Sequence, residues 1–303
     1  MSNFITLYKK HHYYISPMIR NSLGNNLFQI AAICSYAYDD NIKYIIEDTG
    51  YTGSHKTFNK DNITLCNLFP NLNCVNSHKY YWDLYNCEYK KDNSENIVPI
   101  KDYINNRLKT KLIGTFISHK YFNHNRKYIL QLFDFSPEIK KNILDKYQNI
   151  LDKYITISVH IRRGDFIRNL HLKKWCLLGT DYYEKAFNLI LNLKHENIIF
   201  LFFYEDHESK QWIINNLIQL INNHKYLLIS NLAHEDMFFM SQCNHNIIAN
   251  STFSFWGAYL NNNHNRIIIA PSSWKFDDTE IDTKRRFPSE WKIIESNCNL
   301  SLV

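Results

Sequence analysis

Apolar and polar positions alternate through residues 155–162. Ile155, Ile157, Val159 and Ile161 fall on one side; Thr156, Ser158, His160 and Arg162 fall on the other. A period of two predicts a strand, and this one runs into "HIRRGDF". Downstream, "NIIFLFFY" is an unbroken apolar run of the kind found in strands buried on both faces of a parallel sheet, and it ends at Glu205 and Asp206. "YLLIS", "NIIA" and "RIIIAP" read as further short strands. Between them "DYYEKAFNLILNLK", "ESKQWIINNLIQLINN", "HEDMFFMSQC" and "NSTFSFWGAYLNN" carry helical spacing.

The first half is less regular. "HYYISPMI" predicts a strand, "RNSLGNN" a polar turn, and "NLFQIAAICSYAYDDN" a helix starting after Gly24 and capped by Asn25 or Asn26. Its free N–H groups would face the turn, an arrangement suited to an anion but equally that of any capped helix. "KYIIED" and "KLIGTF" predict strands, and the Tyr- and Asn-rich stretch between them is read as an acceptor-facing insertion. "SPEIKKNILDKYQNILDK" predicts a helix with Pro137 at its first position, taken as the end of the first half. The expected domains are 1–150 and 151–303.

Alternating strands and helices imply parallel α/β sheets. Ligands of such sheets bind outside the carboxyl ends of the strands. His160, Arg162, Glu205, Asp206, Ser251 and Thr252 all fall at those ends, on different strands.

Composition narrows the class. The 303 residues are 45% hydrophobic and 15% aromatic, enough for sizeable cores and unlike a disordered chain. The net charge of +6 is scattered, with no basic helix or zinc finger, so no nucleic-acid partner is expected. "MSNFITLYKKHHYYIS" has no apolar signal-peptide core, and no apolar run reaches the roughly 18 residues of a membrane span. Cys34, Cys66, Cys74, Cys87, Cys176, Cys243 and Cys298 form no CxxC pair. The expectation is reduced, mostly buried thiols, no zinc site, a cytoplasmic chain and an unglycosylated sequon at Asn250.

The residue types suggest a ligand. Arginines at a strand end suit phosphate or diphosphate, because a guanidinium offers forked donors. A helix start rich in hydroxyls suits the same group. Carboxylates can accept from guanine N1–H and its amino group, so Glu205 or Asp206 is a candidate guanine reader. Plainer readings stand beside these: an Arg163–Asp165 ion pair, a solvated turn at Glu205–Asp206, a simple cap at Ser251. Walker-type GxxxxGK[ST], GxGxxG, a well-placed DxD and GxSxG are all missing.

"SLGNNLFQIA", "VHIRRGDF" and "ANSTFSFWGAYL" together resemble the α-1,2-fucosyltransferases of glycosyltransferase family eleven. Those enzymes carry a GxLGNQxFQ-like start, HxRRGD(Y/F) and a late NSTFSWWGA. The resemblance implies an α/β, GT-B-like fold, with two Rossmann-like domains whose parallel sheets face a central cleft. It implies GDP-β-L-fucose as donor, an oligosaccharide or glycoconjugate acceptor, inversion at C1, and no metal. By the same resemblance Arg162 holds the diphosphate, His160 and Arg163 lie beside the nucleotide, and Asp165 is the motif's acidic residue and a candidate base. Asn250, Ser251, Thr252, Phe253 and Ser254 match the phosphate-side loop. Gly24, Asn25 and Asn26 match the loop over the donor sugar, with Asn26 where the family has Gln. Another activated deoxysugar and a non-catalytic nucleotide-sugar binder remain alternatives.

Overall fold

A computed structural model describes residues 14–19, 22–47, 63–75, 83–86, 97–101, 109–168, 174–296 and 298. Most of the Tyr- and Asn-rich stretch, with Cys87, lies outside them. The chain forms two compact units: residues 1–136 with 285–288, and residues 137–284 with 289–303.

In the first unit the elements run β1 (Tyr14–Pro17), α1 (Leu23–Asp39), β2 (Lys43–Tyr44), β3 (Ile46–Glu47), α2 (Leu65–Leu68), β4 (Cys74–Val75), β5 (Asp83–Asn86), β6 (Lys109–Ile113) and α3 (Arg126–Leu132). Four strands make a parallel sheet in the order β2-β1-β6-β5. Strands β3 and β4 pair separately, also in parallel. Helix α1 covers one sheet face, and Ile15, Ala32, Ile33 and Leu112 pack in the core beneath it. The helix begins one residue before Gly24, not after it, and Ser22 is the cap, without a side-chain bond. Asn26 is buried within the first turns, where it cannot cap.

The second unit contains α4 (Pro137–Lys153), β7 (Ile155–His160), α5 (Gly164–Arg168), α6 (Thr180–Leu191), β8 (Ile198–Phe203), α7 (His207–Asn216), β9 (Lys225–Ile229), α8 (Ala233–Gln242), β10 (His245–Ile247), α9 (Thr252–Tyr259), β11 (Ile268–Pro271), most of α10 (Glu280–Arg286), whose last two residues belong to the first unit, and β12 (Lys292–Ile294). Six parallel strands are ordered β12-β11-β10-β7-β8-β9. Every residue of β8 is buried, as its apolar run predicts. Helix α4 groups with this unit because it packs on α8, where Tyr147 stacks on Phe239 with centroids 4.3 Å apart.

The cysteines depart from expectation. Cys66 is disulfide-bonded to Cys74 and Cys176 to Cys298, while Cys34 and Cys243 are buried thiols. The absence of a CxxC pair does not report which cysteines the fold brings together from distant parts of the chain. The cysteine argument for a cytoplasmic chain therefore falls away. Among the described residues no helix is long and apolar enough to cross a membrane.

Candidate active site

In the second sheet the chain adds β8 and β9 on one side of β7, then β10, β11 and β12 on the other. The order reverses between β7 and β10. Open α/β sheets bind ligands at such a reversal, outside the carboxyl ends of the strands. His160 ends β7, and Asn250 and Ser251 follow β10. The His160 and Phe253 rings, 5.4 Å between centroids, meet across that point.

After β7 the backbone leaves the strand and enters α5 at Gly164, which places Arg162 and Asp165 on one turn. Arg162 Nη1 donates to Glu205 Oε2 at 2.5 Å and Nη2 to Asp165 Oδ2 at 2.7 Å. The guanidinium is thus aimed by two carboxylates while staying partly accessible, with side-chain exposure of 18%. The ion pair expected between Arg163 and Asp165 is not formed, because the helical turn brings Asp165 to the residue three before it. Arg163 is buried instead. Its guanidinium lies 4.0 Å from the Trp212 ring centroid, and Nη1 donates to Leu178 O at 3.2 Å. Burial lowers the Arg163 pKa from its ordinary value.

His160 is buried, its carbonyl accepts from Tyr183 Oη at 3.1 Å, and its Nδ1 has no hydrogen-bond partner. Burial first, and the Arg162 charge second, push its pKa down to about 3. The imidazole is neutral at pH 7.

Glu205 and Asp206 form a bend, Glu205 exposed and Asp206 half-buried, whose carboxylates are both engaged. Glu205 holds Arg162, and Asp206 caps α7, accepting from Ser209 N at 2.8 Å. One carboxylate is engaged by a cation and the other by a helix end. Gly164 is what lets them approach: a Cβ there would stand 2.1 Å from Asp206 Oδ2 and 2.7 Å from Glu205 Oε1.

Ser251 caps α9, accepting from Phe253 N at 3.3 Å. Thr252 and Phe253 are half-buried on the first turn. Ser254 is buried and its hydroxyl is directed at Ala249 O, 3.2 Å away. Asn250 Nδ2 donates to Cys176 O at 2.6 Å and Trp274 O at 3.1 Å, while its Oδ1 is buried without a partner. Gly257, in the same motif, serves packing: a Cβ would come within 2.9 Å of Met240 Cβ, so α8 and α9 could not lie as close.

Gly24, Asn25 and Asn26 sit on the first turns of α1 in the first unit. Asn26 Oδ1 is buried and meets no donor. Among the described residues no group of three or more His, Cys, Asp or Glu is gathered as metal ligands. Sequence reasoning missed Trp212 and Tyr183, which support the motif from separate helices. The i,i+3 spacing of Arg162 and Asp165 is the one signal that could have revealed their pairing.

The pattern for "Glycosyl transferase family 11" matches residues 89–295. The chain is 28% identical over 292 residues to an "Alpha-1,2-colitosyltransferase" of Escherichia coli, covering 91% of this chain and 97% of that one. It is 35% identical over 186 residues to the Escherichia coli "O-antigen biosynthesis glycosyltransferase WbnK", covering 57% of this chain and 59% of that relative's length. A bovine "Galactoside 2-alpha-L-fucosyltransferase SEC1" matches half of the chain at 25% identity and is itself covered over 42% of its length. Among solved structures, Arabidopsis thaliana FUT1 in complex with GDP superposes with a TM-score of 0.54 at 9% identity, covering 89% of this chain and 73% of that one. POFUT1 in complex with GDP gives 0.51 at 9% identity, covering 86% and 98%. These likenesses carry the fold, an α/β architecture of the GT-B type with parallel sheets. With the pattern matched over residues 89–295, more than half of the chain, the chain belongs to glycosyl transferase family 11 and is a glycosyltransferase.

Proposed function

We propose that the chain transfers L-fucose from GDP-β-L-fucose to the 2-hydroxyl of a galactoside, inverting at the fucose anomeric carbon and using no metal. The observation that carries this reading is the Arg162 guanidinium, aimed by Glu205 and Asp165 beside the reversal point between β7 and β10. The acceptor hydroxyl oxygen attacks C1 of the sugar, the bond from C1 to the phosphate oxygen breaks, GDP departs with that electron pair, and the hydroxyl proton passes to water or to the departing diphosphate. Negative charge grows on the diphosphate. A preorganised guanidinium and the N-terminus of α9 are the groups suited to stabilise it. Asp165 serves to aim Arg162, since its Oδ2 already accepts from that cation. His160, neutral and buried, adds no charge beside the nucleotide.

A second donor has a specific observation behind it. The match to the colitosyltransferase spans 91% of the chain, whereas the bovine fucosyltransferase matches 50%. Colitose is fucose lacking its 3-hydroxyl, so one framework can serve either donor.

The test is incubation of purified protein with GDP-fucose or GDP-colitose and a panel of β-galactosides, with the new linkage read by NMR. An α-1,2 linkage from GDP-fucose that forms in EDTA is the expected result. Faster turnover of GDP-colitose would move the assignment to that sugar, and loss of turnover in EDTA restored by Mn²⁺ would overturn the metal-free reading. GDP should also protect against heat more than UDP, ADP or GMP does. Equal protection by UDP would remove the guanine assignment.

A further inference from the structure

We infer that the first unit carries a subsite for the acceptor sugar, built on the Glu47–Lys111 ion pair. This rests on the reading of the chain as a transferase to a neutral galactoside.

The two side chains are paired through Lys111 Nζ and Glu47 Oε2 and are only 13% and 7% exposed. With Pro17, Met18 and Ile19 they line an open depression of ≈110 Å³. The position is informative. In the sheet β2-β1-β6-β5 the chain passes from β1 to β2 on one side, and β6 lies on the other. The order reverses between β1 and β6, so the crevice rule that applies to the second unit applies here too. Pro17 ends β1, Met18 and Ile19 follow it, and Met18 N donates to Leu112 O at 2.8 Å, which fixes that wall to β6.

The pair lies outside the apolar cluster under α1. Leu112 packs under α1, and alternation along β6 puts Lys111 on the opposite face. Taking two charges out of water is costly, and an apolar pair of similar size is commonly as stable in its place. A largely buried pair that lines a depression at the carboxyl edge of a parallel sheet is placed where such sheets meet ligands.

The chemistry selects the ligand class. An anion would meet Glu47, and a cation would meet Lys111. A neutral polyol satisfies both, because its hydroxyls donate to the carboxylate and accept from the ammonium. The apolar wall of Pro17, Met18 and Ile19 suits the C–H face of a pyranose ring.

The test uses the full chain and methyl β-D-galactopyranoside as probe. Saturation-transfer NMR reads galactoside binding, and steady-state kinetics read acceptor and donor KM separately. The double variant Glu47→Gln/Lys111→Met removes both charges, so that no unpaired charge stays buried. It should weaken galactoside binding and raise acceptor KM by about tenfold or more, the loss expected for hydrogen bonds to charged groups. Donor KM and thermal protection by GDP should stay within about twofold, a split that a purely structural pair would not produce. If the double variant does not fold, Met18→Trp fills the depression and leaves the pair intact; it should cause the same selective loss. Unchanged galactoside binding in a folded variant overturns the subsite, as does absence of galactoside binding by the wild-type protein. Galactoside binding is read without donor, so failure of the GDP-sugar assignment would appear separately, as lost turnover with galactoside binding retained.

Discussion

Gly164 lies against the carboxylate of Asp206, leaving so little room that a Cβ would stand 2.1 Å from Oδ2. The glycine lets the turn after β7 pack on the cap of α7. Gly164→Ala should displace Asp206 and Glu205 together, weakening the bond to Ser209 N and the grip on Arg162. Because the clash falls on carboxylate tips that can turn aside, the expected stability loss is about 1 kcal/mol, the low end of the range for overpacking, with a parallel fall in GDP affinity. Urea unfolding and GDP titration check both. Wild-type values in the two assays would remove Gly164 from this role.

Arg162 and Arg163 should respond in opposite ways to the same change. Arg162→Lys keeps the charge but cannot bond Glu205 and Asp165 as a fork. Turnover should fall on the order of 10²- to 10³-fold, as when one preorganised donor is removed from a reaction centre. Melting should change little, because partly exposed pairs contribute about 1 kcal/mol or less.

Arg163→Lys should unfold more easily with a smaller relative loss of rate. It gives up the guanidinium contact over the Trp212 ring at 4.0 Å and weakens the bond to Leu178 O. A desolvated cation–π contact contributes about 2 kcal/mol. Melting curves and kcat for both variants decide, and equal behaviour of the two would refute the division of roles.

His160 should make the fold acid-sensitive. Its folded pKa is about 3 against an ordinary 6.5, so the unfolded chain binds the proton first as pH falls. Stability from keeping the ring neutral is complete above pH 6.5 and is lost progressively toward pH 3. The slope is about 1.4 kcal/mol per pH unit for one proton. His160→Gln should flatten the urea-derived stability profile below pH 6.5 relative to wild type. Parallel profiles would contradict the burial of a neutral imidazole.

Asp236 should act with the opposite sign. Burial raises its pKa to about 7, against bonds from Asn231 that lower it. The folded state holds the proton longer than the unfolded chain, whose group titrates near 3.8. Stability is therefore complete below pH 3.8 and declines as pH rises through 7. Asp236→Asn removes the titrating proton while its amide oxygen can still accept from Asn231 N. The variant should gain stability over wild type between pH 5 and 8, and equal stability at pH 8 would refute the raised pKa.

Much of this protein was already determined by local pattern. The period of two through residues 155–161 and the apolar run at 198–203 are properties of neighbouring residues, and both became central strands. Their alternation with helices dictated parallel sheets, and parallel sheets put His160, Arg162, Glu205 and Ser251 at one edge. The helix over 137–153 was legible from Pro137 and its spacing. What the tertiary structure decided was partnership. Arg162 meets Glu205 across 43 residues of chain, and Arg163 takes Trp212 rather than its neighbour Asp165. Cys176 joins Cys298 across 122 residues. Ser254 and Gly257 stand in the most recognisable motif, yet one hydroxyl turns to Ala249 O and the other residue admits Met240. The physical reason is range. Periodicity and capping act over one or two turns of backbone and so are written along the chain. Ion pairs, ring contacts and disulfides depend on distances of a few ångströms between residues far apart in sequence, and folding sets those distances.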